Sequence, residues 1–369
     1  MRIHTDDKRI FGLDIVRAIA IILVVLGHGG FILNNTILEN FPFFSMIDGV
    51  DMFFVLSGFL IGGILLKEFS KHEKINLKQL TTFWKRRWFR TLPNYYLILL
   101  LNYIVVRYGI INEDINQFNF NFITFTQNFS SPFTGFFWES WSLSIEEWFY
   151  ILTPILIVLI SNFFPIKKTF LISTLIMILM PILYRLYIFD ENIDSFWYGV
   201  TFGKVVLCRL DSIGYGLLAA WGYYYYRYVW KKYNVLFFII GLVLMLFIIN
   251  FDAPPNSFYK QIIYLSILPI SVLLIIPLAE NFKKANGIIA YSIQHISKIS
   301  YSMYLINLAL VAEVIRDNFS PKGGYDGILK YLIYWFIVIT VSSLLYKYFE
   351  KPVMNLRDRN TSANKGLSQ

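Results

Sequence analysis

The sequence is poor in charged residues and in cysteine, and both shortages exclude whole classes of protein. Charged residues make up 15% of the 369 positions. A soluble domain carries about 25%, so we do not expect this chain to fold as one. The single cysteine, Cys208, excludes an internal disulfide and a cysteine-built metal site. The four histidines lack the spacing of metal ligands, and we expect no metal ion.

Hydrophobic residues are abundant instead, at 56% of the chain with a mean hydropathy of +0.54. Apolar segments of roughly 17–25 residues, the length that crosses a bilayer, recur from end to end. The sequence therefore predicts an all-α, polytopic membrane protein with about ten transmembrane helices. An aromatic stretch at 118–137 is interrupted by polar residues and is predicted to be interfacial or re-entrant. The ten predicted spans lie near residues 11–33, 46–66, 88–106, 142–160, 169–189, 199–226, 234–250, 262–279, 299–316 and 328–346.

The basic residues are distributed unevenly between the two sets of predicted loops. If the first helix starts inside the cell, 23 of the 33 Lys and Arg residues fall in cytoplasmic segments and three fall in the opposite loops. Cytoplasmic loops of membrane proteins are enriched in Lys and Arg, so both termini are predicted to be cytoplasmic. Because the basic residues are concentrated in cytoplasmic segments, we attribute the net charge of +9 to contact with membrane lipid. We expect no nucleic acid as a partner.

The first apolar run, residues 12–30, contains Asp14, Arg17 and His28. Asp or Arg at the centre of a membrane helix costs roughly 2.5–3.5 kcal/mol, so such residues are functional candidates unless they pair. Asp14 and Arg17 have the spacing of an ion pair. Arg17 and His28 lie within about 20° of one helix face and about 16 Å apart along the axis. By this spacing alone, His28 is more often a hydrogen-bonded core residue than a catalyst.

Small and acidic residues mark the second predicted span. Asp51 lies near its outer end, and an ionisable group at such a position is a candidate for a site or for a structural ion pair. Ser57-Gly58, with Gly62 and Gly63, predicts close packing against another helix.

A basic cluster, Lys85, Arg86, Arg87 and Arg90, lies where a predicted cytoplasmic loop enters the third span. One interpretation is an anchor attracted to anionic lipid, which fits Lys85 and Arg86 best. The other is a binding site for an anionic cofactor, to which Arg87 and above all the deeper Arg90 would contribute.

Carboxylates and a further arginine lie in later spans. Glu146 and Glu147 are adjacent, so their side chains point about 100° apart and at most one faces a given partner. The sixth span contains Arg209 and Asp211 in an otherwise apolar sequence, and the preceding Cys208 is interpreted as a small buried hydrophobic residue.

Seven blocks of sequence, in this order, resemble the acyltransferase-3 family of integral membrane acyltransferases, which includes many bacterial polysaccharide O-acetyltransferases. The resemblance covers about residues 8–355 and leaves a polar cytoplasmic tail at 356–369. It implies a multi-pass protein of the inner (cytoplasmic) membrane. The blocks are LDIVRAIAIILVVLGH, GVDMFFVLSGFLI, RRWFRTLPNYY, WSLSIEEWFY, RLDSIGYG, ISYSMYLIN and YFEKP.

The resemblance implies transfer of an acyl group, acetyl by family frequency, from a coenzyme A thioester to a hydroxyl of a cell-surface carbohydrate. By motif match, His28 corresponds to the family's catalytic histidine and Arg17 to the arginine paired with it. Arg90 matches the arginine before LP, and Glu146 matches the glutamate of the WSL block.

Three further positions are compared with the family pattern. Arg209 and Asp211 match a recurrent pair, which, with Asp51, we expect to support the site. Many relatives have a histidine in the ninth helix where this chain has Asn307, and an asparagine cannot be a general base.

These residues suggest a mechanism and leave alternatives open. We expect neutral His28 to take the proton of the acceptor hydroxyl, with Glu146 or an aspartate orienting the ring. Arg17, Arg87 and Arg90 would hold the phosphates of acetyl-CoA. A covalent acyl-histidine intermediate is the mechanistic rival. A secondary transporter of an anionic or sugar substrate and a non-catalytic membrane scaffold are the alternative functions.

Overall fold

Long helices follow one another through nearly all of the chain that the computed structural model describes, which is residues 9–39, 49–71, 77–251 and 253–356. The structure is 79% helical, and none of the described residues forms a strand. The predicted all-α class is therefore confirmed. Beyond residue 356, the predicted polar tail lies outside the described residues.

Fourteen α-helices are formed by the described residues. The first six are α1 (Phe11–Gly29), α2 (Gly49–Phe69), α3 (Leu77–Arg107), α4 (Asn121–Thr124), α5 (Ser140–Ser161) and α6 (Ile166–Tyr187). The others are α7 (Ser195–Thr201), α8 (Val206–Tyr225), α9 (Arg227–Lys232), α10 (Asn234–Asn250), α11 (Leu265–Asn281), α12 (Ile288–Ile306), α13 (Val314–Phe319) and α14 (Gly324–Leu345). A wider, π-helical turn, Asn307–Glu313, joins α12 to α13.

Seven helical segments of the described chain are long and apolar enough to cross a membrane, and α7 with α8 makes an eighth if the two form one span. Two predicted spans coincide with helices that do not meet this standard. Residues 88–106 lie within α3, where asparagines and tyrosines interrupt the apolar sequence, and residues 234–250 form α10, which is only 17 residues long. The chain is a multi-pass membrane protein, while ten spans and two cytoplasmic termini stay predictions.

The predicted span at 199–226 is divided, because α7 and α8 meet at a bend of 60°. The segment 118–137, which holds α4 and turns, hydrogen-bonds to the bend. Val206 N–H donates to the carbonyl of Asn128 (2.8 Å), and Asn128 Nδ2 donates to the carbonyl of Lys204 (2.7 Å). These bonds satisfy backbone groups that the interrupted helix leaves without partners. As the sequence predicted, the segment 118–137 does not form a spanning helix.

The glycines of α2 allow it to approach α8 closely. A Cβ atom on Gly58 would overlap the carbonyl oxygen of Ile213, and one on Gly62 would lie 2.7 Å from Cβ of Ala220. The predicted close packing is therefore confirmed for these two glycines. It is wrong for Gly63, where a Cβ would meet no atom within 4 Å, because the next residue along a helix points about 100° away from the seam.

Helix α1 contacts four other helices, which fix both of its ends. Gly12 lies against the end of α11 at Ala279, while Gly29 lies against the tyrosine rings of α14 at Tyr331 and Tyr334. Between these ends α1 packs on α2 and α12. The helix that carries Arg17 and His28 is therefore a central element of the fold.

Candidate active site

A cavity that is open in part to its surroundings lies between α1, α2, α3, α5 and α12. One part of its wall is apolar and consists of Val50, Phe53, Phe54, Leu60, Ile61 and Leu143. The remaining wall is polar and consists of Arg17, Ser57, Arg87, Arg90, Thr91, Ser142, Glu146, Tyr150, Ser300, Tyr301 and Tyr304.

Three arginines from two distant parts of the sequence line this cavity. Arg17 comes from the second turn of α1, and Arg87 and Arg90 come from α3, one turn apart. Lys85 and Arg86, which the sequence assigned to lipid contact, are exposed and do not line it. The structure thus brings the three predicted cofactor-binding arginines together on one surface.

The two adjacent glutamates of α5 face different partners, as their angular separation predicts. Glu146 lines the cavity and accepts hydrogen bonds from Ser57 Oγ (2.8 Å) and Tyr150 Oη (3.1 Å). Glu147 is buried between α5 and α3, where it accepts from Thr91 Oγ1 (2.7 Å) and Trp88 Nε1 (3.0 Å). Glu147 therefore fixes α3, with its arginines, against the helix that carries Glu146.

His28 lies near the end of α1 and does not line the cavity. Its ring nitrogen Nδ1 is 2.7 Å from Oδ1 of Asn307. The expectation that Glu146 orients this ring is not met, because Glu146 bonds to Ser57 and Tyr150 and lies at the level of Arg17, three turns of α1 away. Asn307, to which the sequence analysis assigned no role, is thus the hydrogen-bond partner of His28.

A lysine that the sequence analysis did not assign also lies near His28. Lys204, at the bend between α7 and α8, interacts electrostatically with the His28 ring. Its ammonium group lies over the indole of Trp138, 4.6 Å from the ring centroid. In the sequence, Lys204 is only one basic residue within an apolar run, and its proximity to His28 depends on the bend.

Asp14 has a closer partner than the predicted Arg17. Its carboxylate pairs with Arg9 and accepts from Ser297 Oγ (2.7 Å), which ties the start of α1 to α12. Arg17 Nη1 is 3.8 Å from the same carboxylate. Arg17 also lines the cavity.

The other predicted supporting residues form two separate buried ion pairs. Asp51 pairs with Arg209, which joins α2 to α8. Asp211 pairs with Arg185 at 2.9 Å and accepts from Ser266 Oγ at 3.0 Å, which joins α8 to α6 and α11. None of these groups lines the cavity, and their ion pairs join helices of the fold.

The loop before α5 contains a buried carboxylate outside the spanning segments. Glu113 Oε2 accepts from the backbone N–H of Phe137 (2.9 Å), a residue held in the left-handed region at φ 45°. The pKa of the Glu113 carboxyl is raised to about 7, mainly by burial and in smaller part by the nearby Glu313. This contact fixes the entry of the chain into α5.

Neither the cavity nor any other group of described residues has the composition of a metal site. No set of three His, Cys, Asp or Glu residues in the described ranges could hold a metal ion. The groups around the cavity are guanidinium, hydroxyl and one carboxylate. Such groups bind an organic anion and act on it through hydrogen bonds and charge.

The helical fold and its apolar spans define an integral membrane protein with a cavity lined by arginines. Residues 10–347 match the family model described as an acyltransferase domain, and the chain belongs to this acyltransferase-3 family. No solved structure matches the chain.

Two similar proteins come from Staphylococcus aureus. One, from strain COL, carries the provisional name O-acetyltransferase SACOL0978 and is 29% identical over 92% of this chain and 56% of its own length. The other, O-acetyltransferase OatA of strain NCTC 8325, is 28% identical over 93% of this chain and 57% of its own length. The chain thus spans a little over half the length of the curated relatives it matches.

Proposed function

We propose that this chain is an inner-membrane O-acyltransferase that moves an acetyl group from acetyl-CoA to a hydroxyl of a cell-surface carbohydrate. The observation that carries the proposal is the convergence of Arg17, Arg87 and Arg90 on one cavity, with His28 further along the same helix as Arg17. Membership of the family and the names of the relatives support the reaction class.

The three arginines give the cavity a positive charge suited to the phosphates of coenzyme A. Guanidinium groups bind phosphate oxygens through paired, charge-assisted hydrogen bonds, which is why arginine is favoured in phosphate sites. Only one carboxylate, Glu146, lines the same cavity, so the site retains a net positive charge. The apolar part of the wall suits the pantetheine arm and the acyl group.

In the proposed reaction, His28 acts as the general base. The ring takes the proton from the acceptor hydroxyl as the hydroxyl oxygen attacks the thioester carbonyl carbon. The tetrahedral intermediate then loses the thiolate as the C–S bond breaks, and the imidazolium returns its proton to the sulfur. The acyl group ends on the carbohydrate oxygen, and free coenzyme A is released.

Binding of coenzyme A tests the role of the arginines. Arg90→Gln, in purified protein in detergent, is expected to weaken coenzyme A binding by roughly 10- to 100-fold, because it removes a charge-assisted hydrogen bond of about 1.5–3 kcal/mol. Arg86→Gln is the matched control, since Arg86 lies in the same basic cluster and does not line the cavity. Equal loss of binding in the two variants would contradict the assignment.

Acetyl transfer tests the role of His28. Membranes that carry His28→Ala are expected to bind coenzyme A normally and to lose acetylation of surface glycans, measured by mass spectrometry. His295→Ala is the control, because this half-buried histidine bonds to Ser343 on the opposite side of α12 from the cavity-lining residues. Full acetylation by His28→Ala would end the proposal, and an acyl adduct on His28 after exposure to donor alone would favour the acyl-histidine route. Solute uptake without consumption of acetyl-CoA would favour the transporter.

A further inference from the structure

The side chain of Asn307 is held in one orientation by its own helix. It is fully buried at the junction between α12 and the π-helical turn. Its amide nitrogen Nδ2 donates to the carbonyls of Met303 (2.9 Å) and Tyr304 (2.8 Å). These two bonds use both amide hydrogens, and a reversed amide would place Oδ1 against two carbonyl oxygens. The oxygen Oδ1 must therefore face His28.

This orientation determines which nitrogen of His28 carries the proton. Oδ1 of Asn307 is an acceptor only, and it lies 2.7 Å from His28 Nδ1. Nδ1 must therefore be the donor, and a neutral His28 ring has its lone pair on Nε2. A ring held by one such bond at Nδ1 cannot rotate without leaving Oδ1 unpaired in a buried site, which costs roughly 1–3 kcal/mol.

We propose that Asn307 is the positioning residue of the reaction, which selects the Nδ1-protonated form of His28 and thereby makes Nε2 the base. This inference rests on the proposed function, because it assigns the nitrogen through which His28 acts. Asn307 carries no charge, so it orients the ring without an ion pair. Its position one turn beyond Tyr304, which lines the cavity, connects the orientation of the ring to the cavity wall.

Kinetic measurements on two substitutions separate positioning from packing. Asn307→Leu preserves volume and removes the acceptor, and it is expected to lower kcat by roughly 10²-fold or more with an unchanged KM for acetyl-CoA. Asn307→Asp retains an acceptor oxygen, and its neutral carboxyl can donate to one of the two carbonyls that Nδ2 contacts, so it is expected to restore part of that loss. Asn102→Leu is the matched control, because Asn102 is also fully buried and donates to the carbonyl four residues earlier, at Ile98 (3.0 Å), far along the chain from His28.

A spectroscopic measurement tests the same inference without activity. In ¹⁵N-histidine-labelled protein, the His28 signal is identified by its loss in His28→Ala. The neutral ring is expected to be protonated at Nδ1 in the unsubstituted chain and to lose this preference in Asn307→Leu. The position of the proton in the unsubstituted chain tests the inference even if Asn307→Leu proves too unstable to study.

The outcomes distinguish failure of the inference from failure of the proposed function. If the unsubstituted His28 is protonated at Nε2, or if Asn307→Leu retains normal kcat while His28→Ala is inactive, the positioning role is wrong and the general base stands. If His28→Ala remains active, the proposed function fails, whatever the form of the ring. Equal loss of kcat in Asn307→Leu, Asn307→Asp and Asn102→Leu would reduce the role of Asn307 to packing and overturn the inference.

Discussion

The seam between α2 and α8 provides a sharp test of how packing supports the site. Gly58→Ala adds one methyl group where it would overlap the carbonyl oxygen of Ile213 and lie 2.9 Å from Cα of Gly216. These neighbours are backbone atoms of a buried helix, so they cannot rotate away as a flexible side chain could. The helices must separate by roughly 1 Å to reach ordinary contact distances of about 3.5–4.0 Å.

The expected cost follows from two opposing terms. Overpacking of a close contact typically costs about 1–3 kcal/mol. Replacing a helical glycine by alanine returns at most about 1 kcal/mol of helix propensity. Gly58→Ala is therefore expected to be about 1–3 kcal/mol less stable than Gly63→Ala, which shares the propensity gain. Gly63→Ala carries the propensity term alone, since its methyl group would meet no atom within 4 Å, and is expected to be neutral or slightly stabilising.

Thermal unfolding of the two variants in the same detergent measures this difference. Gly58→Ala is expected to unfold several °C below Gly63→Ala. It is also expected to lose activity, because separation of α2 from α8 displaces the adjacent Ser57 from its hydrogen bond with Glu146 (2.8 Å). Identical midpoints for the two variants would refute the reasoning, because they would show that the α2–α8 contact does not limit stability.

Two further predictions concern buried charge. The pKa of Glu113 is about 7 in the folded chain, against an ordinary value of 4.5. Between these two values the folded state binds more protons than the unfolded state. The free energy of unfolding therefore falls as pH rises from about 4.5 to 7, by up to about 3 kcal/mol. Glu113→Gln should flatten this slope in thermal unfolding, whereas Asp114→Asn should retain it, since the lowered pKa of the exposed Asp114 places its titration below that window. Arg185→Met should cost about 3–5 kcal/mol by leaving the Asp211 carboxylate unpaired, and adding Asp211→Asn should recover part of the loss. A double variant no more stable than Arg185→Met would contradict the second prediction.

Much of the helical fold could be predicted from hydropathy because each spanning helix must bury its own backbone hydrogen bonds. The bend between α7 and α8 could not, since it depends on hydrogen bonds from Asn128, about 75 residues earlier in the sequence. The failed prediction for Gly63 has a similar cause. A glycine shows that close packing is possible, but only the neighbouring helix determines which face is packed.

For the predicted site residues too, positions within one helix could be predicted, and contacts between helices could not. Arg17 and His28 could be placed relative to each other because one helix carries both, and Arg87 and Arg90 because they are one turn apart. The partners could not be inferred in this way. Asp14 pairs with Arg9 and Ser297, and this choice depends on contacts between elements distant in sequence.

The contacts around Tyr304 suggest how the two ends of α1 act as one site. Its hydroxyl accepts from Ser142 Oγ (2.6 Å) and donates to the carbonyl of Glu139 (3.0 Å), so the cavity wall is tied to the start of α5. Its carbonyl accepts from Asn307, whose amide oxygen faces His28. One residue of α12 thus contacts both the cavity that would hold the donor and the residue that orients the base. A substitution that moves Tyr304 should therefore change donor binding and kcat together, whereas one confined to Asn307 should change kcat alone.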